Sequence, residues 1–571
     1  MQNKKLLLTS ALIVALGVSS KAQMGQTTKF SLNGLGRSYI TNNNLSGNIM
    51  DGDTKTHNKG LGGYNLFDLQ NNLAVDSAFQ AMAQFRVRSE FGAFYGSNNS
   101  FKFRQFKISG KIKEFKYEIG DVRVELTPFT VYNFGDMYNK YEAEIFQVRR
   151  SISEYENINV GNGWLLQGAH LQYKHNFENW GLGAYGFVTR TSSTNEMSTS
   201  DRLLSGGRLS ANFGESIKLG GTYVGLNDVD IQSAQYSYKN NVGTGDIEYI
   251  MNSDASALKV RLEGGASSFK YSNVAATIDS SKSYQDYFLD LSASFALKGP
   301  GIKFGVGISD VGQYFNSPTA QTRRVVDNMT PGLFNMVNNA TTARTPLLFD
   351  RYTSEQLYNS KISYTLTPFL NQFNNAQPYG KATPNRRGAS LYVASDTSMK
   401  NIDFEVGFDY LTEIVGEGTA DLRNFMVVKG GVKLDLAKFI GITRKFDFSV
   451  GGRMEQTQRD GAGAVALTST LADAGISFEV IKKVDLLFGY KMLTAEGNEF
   501  NAVRDSYNSV ASINSVSINS SEGIISAGAQ VRFSPMQSFS VHYNNVAYNN
   551  SLVSSGSYNI SQLLLVYTGK F

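Results

Sequence analysis

The stretch IDFEVGFDYL, Ile402 to Leu411, alternates without a break as far as Tyr410. Ile402, Phe404, Val406, Phe408 and Tyr410 fall on one set of alternate positions, and Asp403, Glu405, Gly407 and Asp409 on the other. A helix would scatter these residues around its circumference, whereas a strand collects each set on one face. One face is therefore wholly apolar and the other charged. The same rhythm recurs at FDFSVGGRME, where Phe446, Phe448 and Val450 oppose Asp447, Ser449 and Arg453. It recurs again where Tyr287, Leu289, Leu291 and Phe295 alternate with Asp290, Ser292 and Ser294, and where Val484, Leu486, Phe488, Tyr490 and Met492 share a face.

Working outward, 22 segments carry this pattern. They run from Thr28–Tyr39 through Trp164–Asn176, Ile302–Val311 and Ile402–Thr412 to Ile560–Phe571. Short connections such as Asn176 to Asn179, Lys298 to Gly301 and Ile481 to Lys483 alternate with long polar ones: Thr191 to Asp201, Leu411 to Asn424, Gly497 to Glu522. Short turns at one rim and long loops at the other belong to transmembrane barrels, whose strands set apolar residues against lipid and polar ones against a wet lumen. The fold class expected is all-β, a transmembrane antiparallel β-barrel of about 16–22 strands. A large soluble sandwich also alternates, and the chain ends weigh against it.

Composition agrees. Hydrophobic residues make up 41% and mean hydropathy is −0.24, too polar for a bundle of spanning helices but sufficient where only alternate residues meet lipid. The absence of cysteine excludes disulfides, thiolate metal sites and cysteine nucleophiles. At the N-terminus Lys4 and Lys5 precede an apolar run from Leu6 to Val18, followed by Ser20-Lys21-Ala22. That is the pattern of an export signal, residues 1–22, cleaved after Ala22 to leave the barrel at 23–571. The run is short of the roughly 20 residues a spanning helix needs. Losing Lys4, Lys5 and Lys21 takes the formal charge from +5 to +2, so no nucleic-acid footprint remains.

Gly312 to Arg387 breaks the rhythm. It holds six of the nine prolines and no sustained alternation. An excursion of this length is expected to be functional, as a constriction, a plug or an external cap. Arg323, Arg324, Arg344, Arg351, Arg386 and Arg387 fall in it. Folded inward they would line an anion-favouring constriction; as solvated loop charges they would meet acidic lipopolysaccharide.

The chain ends SQLLLVYTGKF, with Leu563, Leu565, Tyr567 and the terminal Phe571 on one face. This strand resembles the signal read by the barrel assembly machinery, with Gly569 as a departure, so Phe571, Tyr567 and Leu565 are the candidate assembly residues. Closure is expected to pair Phe30–Asn33 with Leu563–Thr568. Tyr64 to Asn133, including YNLFDLQNNLAVDS, EFGAFYGSNNSFKFRQFKISGK and YEIGDVRVELTPFTVYN, resembles a group of porin-like outer-membrane proteins of Bacteroidota. The resemblance implies location and fold, and little about substrate.

Sites for chemistry are sparse. Gly34-Leu35-Gly36 lacks phosphate-loop spacing. Neither Asn227, Asp228 and Asp230 nor Asn42, Asn43, Asp51 and Asp53 has calcium-loop spacing. His170 shares alternate positions with Leu166 and Gly168 and is expected to face lipid, and His542 has no serine or aspartate in a recognised arrangement. No catalytic, cofactor or metal residue is expected, and no enzyme activity. Two functions fit: a porin-like channel for small solutes in a cell outer membrane, or a non-conducting accessory barrel of a secretion, assembly or uptake complex. Expected partners are outer-membrane lipid and lipopolysaccharide, and no nucleic acid.

Overall fold

The computed structural model describes residues 28–47, 60–90, 99–132, 140–156, 164–192, 201–229, 236–273, 281–321, 348, 362, 366, 369–396, 399–505, 509–552 and 557–571. The expected export segment lies outside them. The strands are β1 Lys29–Gly47, β2 Gly60–Ala74, β3 Gln80–Glu90, β4 Asn99–Ile112, β5 Phe115–Val124, β6 Trp164–Asn176, β7 Trp180–Ser192, β8 Asp201–Phe213, β9 Ile217–Val229, β10 Tyr236–Asn252 and β11 Ser256–Asn273. They continue as β12 Lys282–Leu297, β13 Ile302–Val311, β14 Arg386–Ser395, β15 Ile402–Thr412, β16 Asn424–Asp435, β17 Phe446–Arg459, β18 Val465–Ile481, β19 Val484–Arg504, β20 Val510–Ser534, β21 Gln537–Asn550 and β22 Tyr558–Lys570. Among the described residues two α-helices accompany them, α1 Glu144–Glu156 and the short α2 Leu436–Ile440.

Each strand pairs antiparallel with its neighbours in sequence, and β1 also pairs with β22, closing one 22-stranded barrel. Closure leaves no sheet edge at the join, as a strand fold in lipid requires. Phe408, Leu289 and Phe488 are exposed on the outside, with Phe404 and Phe448 half-buried on the same face. Asp409, Asp290, Glu405 and Arg453 point inward, as the alternation dictates. Every connection from an even-numbered to the next odd strand is short. Longest is β16 to β17, where Asp435 caps α2 through the Lys438 amide and Gly441 ends it at φ 72°. At this rim Phe177 stacks on Trp180 at 4.2 Å, part of an aromatic girdle with exposed Phe115, Phe213 and Phe439.

Two expectations need correction. The strands that close the barrel are the expected ones, but the register differs: Leu563–Thr568 lie opposite Asn42–Arg37, and Phe30–Asn33 pair only with β2. Closing a ring of tilted strands accumulates stagger, which slides the start of β1 past the end of the chain. There Gly34 and Phe571 exchange backbone hydrogen bonds of 2.9 and 3.1 Å. Gly497 to Glu522 is not a loop; most of it belongs to the longest hairpin, Val484–Arg504 with Val510–Ser534. At 21 and 25 residues its strands far exceed the ~9–11 that a tilted strand needs to cross the hydrocarbon, so pairing continues in the outer half without any demand for an apolar face.

Candidate functional site

The lumen of this barrel is occupied by its own chain. The first inward segment follows β5. After Val124 the backbone turns, with the Leu126 amide bonding the Val131 carbonyl at 3.0 Å, and Phe129 stacks on Phe288 of β12 at 3.9 Å. Helix α1 then lies against the inner wall. Its apolar side, Ile145 and Phe146, packs with Leu487, Ile524, Val546 and Ile560, and Ile152 packs with Leu564 and Val566.

Charges clamp both ends of α1. Just before it, Glu142 pairs with Lys491 and with Arg150 (2.7 Å), and the Ala143 amide donates to Asp473 at 2.8 Å. Lys491 also meets Asp473 at 3.3 Å, and all three ionic side chains are at most 2% exposed. Glu144 accepts from Lys445 at 2.6 Å. Burial raises its carboxyl, but Lys445 and the Ser477 hydroxyl outweigh that and hold it below the ordinary range. At the far end Glu156 pairs with Arg37 (2.6 Å) and Arg88 (3.3 Å) and accepts from the Tyr64 hydroxyl (2.6 Å). Tyr155 donates to Asp68 at 2.7 Å; burial and then that carboxylate push its phenol up to about 12.

The second inward segment lies between β13 and β14. Its described parts, 312–321 and 369–385, bond to lumen-facing side chains. Asn240 donates to the Asn316 carbonyl at 2.8 Å, the Ala376 amide donates to Glu455 at 3.0 Å, and Lys381 meets Asp290 at 2.8 Å. The two inward segments also bond each other: Ser317 Oγ donates to the Phe129 carbonyl at 2.8 Å, and the Tyr132 amide to that of Thr319 at 3.0 Å.

Two polar cavities flank residues 371–385. One of about 440 Å³, toward the short-turn rim, is lined by Lys381, Asp290, Glu405, Asp409 and Lys429. Another of about 440 Å³, toward the long-connection rim, is lined by Asn371, Tyr379, Arg386, Glu417, Arg423 and Arg504. The acidic and basic side chains here form one network, with Arg386 held instead by backbone carbonyls. Arg423 meets Glu413 and Glu417 at 2.6 Å each and Glu499 at 3.1 Å, and Arg504 meets Glu417 at 2.9 Å. Burial raises the Glu417 carboxyl, but the Arg423, Arg504 and Arg386 charges together hold it low.

The arginines singled out from sequence separate. Arg323, Arg324, Arg344 and Arg351 lie outside the described residues. Arg386 points inward and holds the inward segment, donating to the carbonyls of Ala376 (2.8 Å) and Asn375 (3.3 Å) above the Phe425 ring. Arg387, one residue on, points outward and pairs with Asp310 at 2.7 Å. Consecutive strand residues face opposite sides, so these two do not line one surface. Phe571 and Tyr567 are exposed on the outer face, Leu565 is half-buried there, and Phe571 stacks on Phe67.

His170 does not face lipid. It points into the lumen, 3.2 Å from Glu118, because Leu166 on the same face is buried against Val122 and Phe187. His542 is also inward and buried. Among the described residues no group of three or more histidine, cysteine or acidic side chains is placed to hold a metal. The inward residues that sequence reading missed are 125–132 and 140–156. Their signal was the loss of alternation after Val124 together with Ile145, Arg149, Ile152 and Glu156 at helical spacing.

These features define a membrane-spanning β-barrel with a lumen filled by two segments of its own chain. No protein-family model matches the chain, and no curated protein does. Among solved structures it is similar to the Pseudomonas aeruginosa proteins OccK5 (OpdH), at 10% identity and a TM-score of 0.34 over 95% of this chain and 98% of that one, and OpdK with vanillate, at 8% and 0.35 over 95% and 99%. Acinetobacter baumannii OccAB4 matches at 10% and 0.34 over 96% and 99%. At these values the likenesses add nothing to what the closed strand ladder establishes.

Proposed function

We propose that the protein is a porin-like channel of a cell outer membrane, admitting small polar solutes past the inward-folded segment 371–385. The observation that carries this reading is the pair of charged cavities on opposite sides of that segment, one toward each rim. A barrel of this strand number encloses a lumen wide enough to need filling, and the filling here leaves polar space above and below a constriction. Because most acids and bases lining the two cavities are paired, selectivity arises from size and hydrogen bonding more than from net charge. In this reading residues 1–22 direct export, the terminal strand with Phe571, Tyr567 and Leu565 is read by the assembly machinery, and the membrane is of the Bacteroidota type that Tyr64–Asn133 resembles.

Conductance of the purified protein in planar bilayers tests the proposal. Small, discrete steps are expected. A sealed bilayer, with insertion verified by protease protection, refutes it. The accessory-barrel reading draws on one observation, the fully buried clamp of Lys491 with Glu142 and Asp473. It predicts a stoichiometric partner on native purification.

A further inference from the structure

The wall of the barrel is incomplete at one place. The β4–β5 ladder begins beside the short turn at Ile112 opposite Phe115 and ends at Lys107 opposite Gly120. Both strands run on, β4 back to Asn99 and β5 forward to Val124, each still paired with its other neighbour. Among the described residues no ladder joins Asn99–Phe106 to β5. Gly120, where the strands part, has φ 106°, a conformation that L side chains avoid. In place of a backbone partner, the Phe106 amide donates to the Asp121 carboxylate at 2.5 Å.

An unpaired strand edge against hydrocarbon leaves backbone groups unsatisfied. This seam is lined instead by polar side chains. Directly behind it lies a cavity of about 650 Å³, formed in part by Gln105, Lys107, Glu118, Asp121, Arg123 and His170. Asp121 and Arg123, on the same alternate positions as exposed Ile119, stand at its outer mouth, while Lys107, Glu118 and His170 line it within, so both flanking strands and charges of both signs contribute. Beside the opening, on the outer face, Phe85, Phe101, Phe103 and Phe106 form a contiguous aromatic cluster. Phe101 and Phe103 are half exposed, at 50% and 54%. An apolar track therefore leads along the outside to a charged chamber inside, in the half of the wall toward the long-connection rim.

We propose that the β4–β5 seam is a lateral port, through which a single-chain amphiphile of the surrounding leaflet places its polar head in the chamber while its tail lies along the phenylalanine cluster. A head carrying both charges matches the mixed lining, and one tail matches the single phenylalanine cluster beside the seam. This route is independent of axial conduction, and a sealed barrel in the conductance test leaves it standing.

The chain has no cysteine, so introduced pairs are unambiguous. A fluorescent residue is placed genetically at Tyr185, which lines the chamber, or at the lumen-facing Ser469 of β18 as the reference. The full-length protein is reconstituted in phosphatidylcholine vesicles containing a lysophosphatidylcholine with a nitroxide on its tail close to the head. Quenching at Tyr185 is expected to exceed that at Ser469 several-fold. With Phe103→Cys and Arg123→Cys oxidised across the seam it should fall to the reference level, and dithiothreitol should restore it. Equal quenching at the two positions overturns the proposal, as does quenching at Tyr185 that survives a formed disulfide. If the disulfide does not form, the contrast between Tyr185 and Ser469 decides alone.

Discussion

Lys491→Met is the most informative single change in the lumen. The ammonium sits between Glu142 and Asp473, and none of the three is more than 2% exposed. Removing it leaves two buried carboxylates facing each other. Breaking a buried pair this way typically costs ~3–5 kcal/mol, most of it the stranded charge. Here Glu142 keeps Arg150 at 2.7 Å and Asp473 keeps the Ala143 amide at 2.8 Å, so the low end, about 3 kcal/mol, applies. The cost falls on the docking of α1, because Glu142 and Ala143 are its entry residues while Asp473 and Lys491 belong to the wall. At about 1.4 kcal/mol per tenfold, the undocked fraction should rise roughly a hundredfold. Hydrogen exchange of the amides in 144–156 reads that change directly in the reconstituted protein, and the conductance should become larger and noisier. The triple change Glu142→Gln, Lys491→Met, Asp473→Asn leaves no stranded carboxylate, gives up only the contact of Glu142 with the partly exposed Arg150, and should recover most of the protection. Unchanged exchange in Lys491→Met, with the barrel correctly inserted, would refute the reasoning, since it would mean the apolar contacts of Ile145, Phe146 and Ile152 hold α1 unaided.

Three further outcomes follow from the same geometry. Leu289→Arg on the lipid face should destabilise folding into vesicles by ~2–4 kcal/mol and Ser292→Arg in the lumen by much less, as read by urea titration; equal losses would indicate a barrel without a lipid face. Cysteines at Ile40 and Leu565, opposite each other across the closing ladder, should crosslink in the membrane, whereas cysteines at Phe30 and Thr568 should not. Since Glu144 is held below its ordinary value of 4.5, its tether to Lys445 is fully present above that pH and is lost as pH falls through the lowered value. Exchange protection at the start of α1 should therefore drop in acid, and Glu144→Gln should abolish the pH dependence while weakening docking at neutral pH.

How much of this could be read from the sequence varies with what faces each residue. Where a strand has lipid on one side and water on the other, alternation locates it closely: Trp164–Asn176, Ile302–Val311 and Ile402–Thr412 coincide with observed strands end to end. Where a strand leaves the lipid band the signal fades, which is why the outer half of the β19–β20 hairpin, rich in serine and asparagine, reads as a loop. The closing register was illegible because it depends on stagger summed over all the strands, a property of no local stretch. The phenylalanines of Asn99–Phe106 gave no hint that their strand lacks a partner, since alternation reports which face is apolar and not which edge is bonded.

The inward segments were hidden for a different reason, and the reason itself can be turned into a rule. A barrel with a water-filled lumen needs a polar inner face, and by that rule a face that carries Leu166 puts His170 toward lipid. That inference fails once the lumen holds protein, for then the inner face must itself be apolar where it meets the filling. The terminal strand shows the signature. In SQLLLVY, Leu563, Leu565 and Tyr567 face outward while Leu564 and Val566 face inward and are buried against Ile152 of α1. A strand apolar on both faces is one buried on both sides, and in a closed barrel the inner side can be covered only by something inside it. The same holds for β19, where Leu487 on the inner face meets the apolar side of α1. Such doubly apolar strands mark which wall the filling leans on, before any coordinates exist.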